Sequence, residues 1–258
     1  MNDRGKIFAI YGSVAALSAL IIGGGMYLGN RMPEQPEPEV IVENAGAEKV
    51  ETFFPIQKDF AGINQAGKEV KLSDLKGKVW LVAEFFAVCP HCAVRNGKEL
   101  TALFEQFKGH PDFHMACISV DPTTDTSERL VEYSKALGAD PERWWFMSHP
   151  NEQETHEYLE KELKFIRVLE RKDPADREAN GRFQHDMSIS LVDREWNVIG
   201  KWNLYGASSE EGRKQDPGAY ERMKGELLSR LTEELEKNET AGIDSVAEEA
   251  PAEEVPAK

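Results

Sequence analysis

The chain has 258 residues, of which 40% are hydrophobic, and it carries a formal net charge of −15. This size and apolar content are enough for one domain with extensions at its ends. The charge argues against nucleic-acid binding, because no stretch provides the clustered Lys and Arg that a phosphate-binding surface needs. Three cysteines are too few for a disulfide-stapled fold or a four-thiolate zinc site, whereas mixed Cys/His metal ligation stays open.

The first predicted element is a membrane anchor. Residues 7–28 are apolar and uncharged, and at about 1.5 Å per residue they span the ~30 Å core of a bilayer. Arg4 and Lys6 precede this stretch, so the positive-inside rule places the N-terminus in the cytoplasm. A cleaved signal peptide is the alternative, although no A-x-A site or lipid-accepting cysteine follows. We therefore predict a cytoplasmic segment 1–6, a single transmembrane anchor 7–29 in the cell membrane, and a periplasmic or other extracytoplasmic remainder.

Two polar segments flank the predicted folded domain. Residues 30–52 are rich in Pro and Glu, which is typical of an extended linker. Residues 238–258 contain mainly Ala, Glu and Pro and are predicted to form an acidic disordered tail. The folded domain is then expected at residues 53–237.

Strand and helix signals alternate through residues 53–237, with a turn predicted at 62–67. Strands are predicted at 70–72, 79–88, 113–120, 144–147, 187–192 and 198–204. Helices are predicted at 90–107, 127–137, 152–168 (with Tyr158, Leu159, Leu163, Ile166 and Val168 as its apolar positions) and 217–235. This order predicts an α/β, thioredoxin-like fold, in which helices flank a central mixed sheet, preceded by the N-terminal transmembrane helix.

The segment Cys89-Pro90-His91-Cys92 directly follows the apolar run 79–88. Such a pair can be a disulfide staple, half of a zinc site, or a dithiol that serves redox or soft-metal chemistry. A strand followed by a helix favours the dithiol, because the first thiol then meets the positive end of the helix dipole and its pKa falls. Cys89 and Cys92 are the candidate catalytic residues. Cys117 lies inside an apolar strand and is predicted to be a small buried hydrophobic residue.

Two aspartates follow the predicted strand 113–120. Asp121 and Asp125 stand where the sites of open α/β sheets gather, and capping of the next helix is the alternative for both.

Three segments of the chain resemble the Sco/SenC family: Lys76-Gly77-Lys78 through to the cysteine pair, Ile118-Ser119-Val120-Asp121-Pro122, and Phe183-Gln184-His185-Asp186 leading into the next strand. The resemblance implies a membrane-anchored thioredoxin-fold protein linked to copper delivery to cytochrome c oxidase. It implies that His185 joins the thiolates of Cys89 and Cys92 as a ligand of Cu(I), or of Cu(II) with a further ligand. The implied partner is the oxidase subunit that bears the copper site, or another extracytoplasmic thiol protein.

Two features favour different functions within this resemblance. The family usually places three residues between its cysteines, whereas this chain has Pro90-His91, the dipeptide of strongly oxidising dithiol oxidases of the DsbA type. Those oxidases also place a cis-proline opposite the cysteine pair, but this chain has no proline between Pro174 and Pro217 and offers His185 there instead. Copper handling and thiol-disulfide exchange therefore both stay open, and only the second would make the protein an enzyme. Peroxide reduction is disfavoured, since no Thr-x-x-Cys arrangement surrounds Cys89.

Overall fold

The computed structural model describes residues 54–87 and 92–247, with side chains described for 54–87 and 96–237. These residues belong to one compact unit, Val50–Lys258. Within them, no helix combines the length and the apolar character that crossing a bilayer requires. The predicted anchor 7–29 and the predicted linker 30–52 lie outside the described residues and stay predictions.

An eight-stranded mixed sheet and a separate two-stranded antiparallel sheet account for the strands in the described residues. The strands are β1 (Phe54–Pro55), β2 (Ala61–Asn64), β3 (Glu69–Lys71), β4 (Val79–Phe85), β5 (Phe113–Ser119), β6 (Trp144–Ser148), β7 (Leu169–Glu170), β8 (Phe183–Gln184), β9 (Ile189–Val192) and β10 (Asn197–Trp202). The helices are α1 (Cys92–Phe107), α2 (Ser127–Ala136), α3 (Glu152–Lys161), α4 (Pro174–Asn180), α5 (Leu204–Ser208), α6 (Glu210–Gln215) and α7 (Ala219–Ala247), and a 3-10 turn spans Leu72–Leu75.

The main sheet runs in the order β1-β10-β9-β4-β5-β6-β2-β3. Strands β4, β5 and β6 are parallel, whereas β9 is antiparallel to β4 and β10 is antiparallel to β9. Every residue of β4 is buried, as expected for a central strand with helices on both faces. The predicted mixed sheet flanked by helices is confirmed.

Successive side chains of β4 point into two separate cores, because side chains alternate between the faces of a strand. Leu81, Ala83 and Phe85 belong to the core that α1, α2 and α7 cover. Trp80 and Val82 belong to the core on the other face, which α3 covers. Glu84 therefore points toward the α3 face, among apolar neighbours.

The predicted turn at 62–67 is wrong in its first half, which forms β2. Gly62 lies in this strand, and glycine is needed there because β6 approaches closely. A Cβ atom at this position would lie 2.8 Å from the carbonyl oxygen of Ser148. The turn begins after Asn64, whose side-chain oxygen accepts hydrogen bonds from the amides of Ala66 and Lys68.

The predicted helix 152–168 ends earlier, at Lys161. The chain turns at Lys164, which has a left-handed φ of 52°, and the amide of Phe165 donates to the carbonyl of Leu159. This turn keeps Leu163 buried but directs Ile166 outward, so the prediction that Ile166 lies on the apolar face of this helix is wrong. At the other end of the domain, α7 continues to Ala247, beyond the predicted domain end at 237.

Candidate functional site

The candidate site lies at the carboxyl end of β4, where the sequence leads into the cysteine pair. The ring of His185, in the loop between β8 and β9, contacts the ring of Phe86 edge to face, with the centroids 5.5 Å apart. Phe86 stands three residues before Cys89 in the sequence. Cys92 is the first residue of α1. Cys89 and the side chain of Cys92 lie outside the described residues, so the predicted set of Cys89, Cys92 and His185 stays a prediction.

Helix α1 is tied to the loop that carries His185. The side-chain amide of Asn96, one helical turn after Cys92, donates a 2.9 Å hydrogen bond to the carbonyl of Met187. Asn96 is buried, so this bond is shielded from competing water. The opening of the cysteine-bearing helix and the His185 loop are therefore held together.

The surroundings of His185 determine which ring nitrogen carries the proton. Its side chain is only 4% exposed, and Nδ1 lies 2.8 Å from the carbonyl oxygen of Asp186 and 3.5 Å from Oε2 of Glu84. A carbonyl and a carboxylate oxygen both accept hydrogen bonds, so Nδ1 is the nitrogen that donates to them. In the neutral ring, Nε2 then keeps its lone pair, which is the form in which a histidine binds a metal.

Glu84 is a carboxylate buried in an apolar core, and it was not among the site residues predicted from the sequence. It is 1% exposed, and its Oε2 accepts a 2.8 Å hydrogen bond from the amide of Asp186. Its Oε1 is buried and has no hydrogen-bond partner in the described part of the chain. Burial raises the pKa of Glu84 above its ordinary value, and the hydrogen bond with His185 offsets only part of this effect. The available signal was a single charged residue inside the apolar run 79–88.

Asp186 fixes the conformation of the His185 loop. Its carboxylate accepts hydrogen bonds from the amides of Ser188 and Ile166, at 2.8 and 3.0 Å, and forms a 2.7 Å ion pair with Lys201. Burial alone would raise the pKa of Asp186, but the contacts with Lys201, with the Ser188 side chain and with the amide of Ile166 outweigh it and lower the pKa. The loop at His185 is thus held in two ways. Glu84 binds the backbone amide of Asp186, and the Asp186 carboxylate binds the residues around it.

Asp125 acts on the end of β4 and does not cap a helix. One carboxylate oxygen accepts a 2.9 Å hydrogen bond from the amide of Ala87, two residues before Cys89, and the other accepts from the hydroxyl of Ser119. Burial raises the pKa of Asp125 to about 6. The N-cap of α2 is Thr126, which makes no side-chain capping bond. The capping alternative is therefore wrong for Asp125.

Asp121 is buried beside the same strand end. It accepts a hydrogen bond from the hydroxyl of Thr123 at 2.8 Å and lies 3.6 Å from the guanidinium of Arg182. These contacts fix the loop after β5. Asp121 does not cap α2 either, so the capping alternative is wrong for both aspartates. Asp121 and Asp125 both belong to the end of the sheet where the candidate site lies.

Cys117 is separate from the candidate site, as predicted. It is a buried free thiol on β5, and the indole nitrogen of Trp144 donates to its sulfur at 3.4 Å. Burial raises the pKa of Cys117 to about 12, so this thiol is not a nucleophile near neutral pH.

The described residues contain no group of three or more His, Cys, Asp or Glu side chains placed to hold a metal ion. The predicted metal set depends on two sulfurs outside these residues. The described member of the set, His185, fits a soft metal, because imidazole is the nitrogen ligand that accompanies thiolates on copper.

Comparisons with known proteins identify the family. The SCO1/SenC family model matches residues 49–211, more than half of the chain. A SCO1 protein homolog from Bacillus subtilis (strain 168) is 28% identical over 141 residues, covering 54% of this chain and 69% of that protein.

Two solved structures support the fold. A SCO1/SenC family lipoprotein from Bacillus anthracis str. Ames is similar with a TM-score of 0.53 and 22% identity, covering 67% of this chain and 96% of that one. BsSco, described as a member of the Sco family of cytochrome c oxidase assembly proteins, gives a TM-score of 0.50 and 24% identity, covering 70% of this chain and 96% of that one. Because the family model matches more than half of its length, the chain belongs to the SCO1/SenC family.

Proposed function

We propose that the protein binds copper through Cys89, Cys92 and His185 and delivers it to the copper site of cytochrome c oxidase, or maintains the thiols of that site. Family membership supports this proposal. The observation that carries it is the placement of His185 at the end of β4, where its Nδ1 faces two hydrogen-bond acceptors that orient the ring.

In this proposal copper is cargo. Two thiolates and one imidazole form a soft ligand set that suits Cu(I), and each thiol releases its proton when it binds the metal. Three protein ligands leave the metal open to a ligand from the receiving protein, so transfer proceeds by ligand exchange. The hydrogen bonds of Glu84 and Asp186 hold the imidazole in place, so little ordering is required when the metal binds.

The second candidate function is thiol-disulfide exchange. The two-residue spacing with Pro90-His91 favours it. In the oxidising direction, a thiolate of the partner attacks Cys89 of the Cys89–Cys92 disulfide, Cys92 leaves as a thiolate, and a second partner thiol resolves the mixed disulfide, so that two electrons pass to the pair. In the reducing direction, the Cys89 thiolate attacks a partner disulfide and Cys92 resolves the mixed disulfide, so that two electrons pass to the partner. BsSco is itself described as having a disulfide switch. The two functions are compatible, because reduced thiols are also the ones that bind copper.

We further propose that residues 7–29 anchor the protein in the cell membrane, with residues 1–6 in the cytoplasm and the folded domain on the outer side. Support comes from the uncharged apolar stretch and the basic residues that precede it.

The test is a Cu(I) titration of the reduced segment 50–258, which belongs to one compact unit, against a competing chelator. We expect one-to-one binding that is lost in Cys89→Ser/Cys92→Ser and weakened at least tenfold in His185→Ala. His156→Ala is the matched control, since its ring contacts Phe183 and the carbonyl of Val120 instead of Glu84. Copper binding that is unchanged in His185→Ala would leave thiol-disulfide exchange as the better account.

A further inference from the structure

Two large apolar side chains are exposed beside the candidate site. Ile166 is 63% exposed and Leu169 is 50% exposed, whereas Phe165 and Val168 in the same segment are buried. Only two other large hydrophobic residues in the described part of the chain are exposed, and both are less so. The segment therefore contributes Phe165 and Val168 to the core and presents Ile166 and Leu169 to the solvent.

These two residues flank the loop that carries His185. The amide of Ile166 donates to the carboxylate of Asp186 at 3.0 Å, and Leu169 is the β-ladder partner of Gln184. Gln184 and Asp186 are the residues on either side of His185. A protein that approaches His185 from this side would meet Ile166 and Leu169.

The same segment is basic, in contrast with the rest of the chain. Residues 164–172 contain four basic residues and one acidic residue, in a chain with a net charge of −15. Lys164, Arg167 and Lys172 are exposed. The side chain of Arg167 is 75% exposed, and its ion pair with Glu160 spans 4.0 Å. We call Lys164, Ile166, Arg167, Leu169 and Lys172 together the 164–172 rim.

We propose that the 164–172 rim is the docking surface for the protein that exchanges copper or electrons with this site, and that it binds an acidic surface with an exposed apolar side chain. This inference rests on the proposed function. The apolar pair provides the part of the interface that loses water, and the surrounding positive charges select and steer a negatively charged partner. So small a rim suits a short-lived complex, as transfer requires. An acidic partner is otherwise repelled by the negative charge of this chain, which makes a local basic surface necessary for approach.

The test measures Cu(I) transfer from the loaded protein to the metal-free soluble domain of the oxidase subunit that bears the copper site, by stopped flow at several salt concentrations. The rim variants are Ile166→Ser/Leu169→Ser and Arg167→Glu/Lys172→Glu. The matched controls are Val131→Ser, an exposed apolar residue on α2, and Lys68→Glu/Lys71→Glu, exposed charges at the β3 edge of the sheet.

We expect both rim variants to keep the Cu(I) affinity of the unaltered protein and to transfer copper about tenfold more slowly, with the controls unchanged. The charge variant should also lose most of the salt dependence of the rate. Transfer at the unaltered rate in both rim variants would overturn the docking surface and leave the proposed function intact. A protein that binds Cu(I) but transfers none would overturn both.

Two further measurements test whether the 164–172 rim binds something other than the proposed partner protein. Sedimentation with vesicles of phosphatidylcholine and phosphatidylglycerol tests an anionic lipid surface, and sedimentation velocity tests a second copy of the chain. Vesicle binding or self-association that is lost in the rim variants, while transfer is unaffected, would assign the rim to that occupant and contradict the proposal.

Discussion

Oε2 of Glu84 lies 3.5 Å from Nδ1 of His185 and 2.8 Å from the amide nitrogen of Asp186, so one buried carboxylate oxygen contacts both the ring and the backbone of the His185 loop. Glu84 is on the central strand β4, whose neighbours β5 and β9 fix its position. A rigid strand therefore positions the one predicted ligand that does not come from the cysteine segment.

Replacing Glu84 is expected to weaken metal binding only if the new side chain cannot accept the hydrogen bond from the Asp186 amide. Glu84→Ala leaves the Asp186 amide without its acceptor, and we expect Cu(I) affinity to fall about 10- to 100-fold. Glu84→Gln keeps an amide oxygen for this bond, so its affinity should stay within a few-fold of the unaltered protein. Chelator competition measures both.

The matched control is Glu234→Ala, which removes another buried carboxylate, one on α7 that pairs with Lys237. Equal affinities in Glu84→Ala and Glu234→Ala would refute the positioning role of Glu84.

Gly181 permits a close approach that supports Phe86, the ring that contacts His185. Gly181 has a φ of +81°, and a Cβ atom there would lie 2.2 Å from the Phe86 ring. Gly181→Ala should lower the free energy of unfolding by about 2–4 kcal/mol through backbone strain and overpacking. Gly225→Ala, in α7 with open space around it, should be neutral or stabilising. Urea unfolding compares the two, and similar midpoints would show that the Gly181 contact is not needed.

Asn96 is expected to stabilise the junction between α1 and the His185 loop. Asn96→Ala leaves the carbonyl of Met187 without its donor, which should cost about 1–3 kcal/mol. Amide hydrogen exchange should also rise in the loop 185–188 more than in β4. Unchanged exchange in this loop would mean that the bond does not hold the two elements together.

Asp125 is expected to make stability depend on pH. Its pKa rises from an ordinary 3.8 to about 6 because the carboxyl is buried, so the native state binds more protons than the unfolded state between these values. This contribution to stability is fully present below about pH 4 and is lost as the pH rises through about 6, with a size of about 3 kcal/mol.

Asp125→Asn keeps an acceptor for the Ala87 amide and removes the titration. The free energy of unfolding, measured from pH 4 to pH 7 by urea denaturation, should therefore fall more in the unaltered protein than in Asp125→Asn. Parallel curves for the two proteins would contradict the assignment to Asp125.

The sequence predicted the central strands and the family because their signals are local and strong: a continuous apolar run before Cys89, and a His185 segment that resembles the family pattern. Glu84 was not predicted as a site residue because it is a single charged residue within an apolar run. Its role depends on a hydrogen bond to Asp186, more than one hundred residues away in the sequence. Ile166 was misplaced because the helical spacing of apolar residues continues past Lys161, while the left-handed turn at Lys164 ends the helix. Gly62 was assigned to a turn because glycine is common in turns. Here glycine is needed because β6 approaches closely, which is a tertiary contact that the local sequence does not show.

The central claim is that two thiolates and the imidazole of His185 hold one copper ion. X-ray absorption spectroscopy of the Cu(I)-loaded segment 50–258 tests it most directly, because sulfur and nitrogen ligands scatter distinctly. We predict two sulfur ligands and one nitrogen ligand, with the nitrogen lost in His185→Ala and retained in His156→Ala. A spectrum with sulfur ligands only, or one that is identical in the protein with and without His185, would contradict the claim.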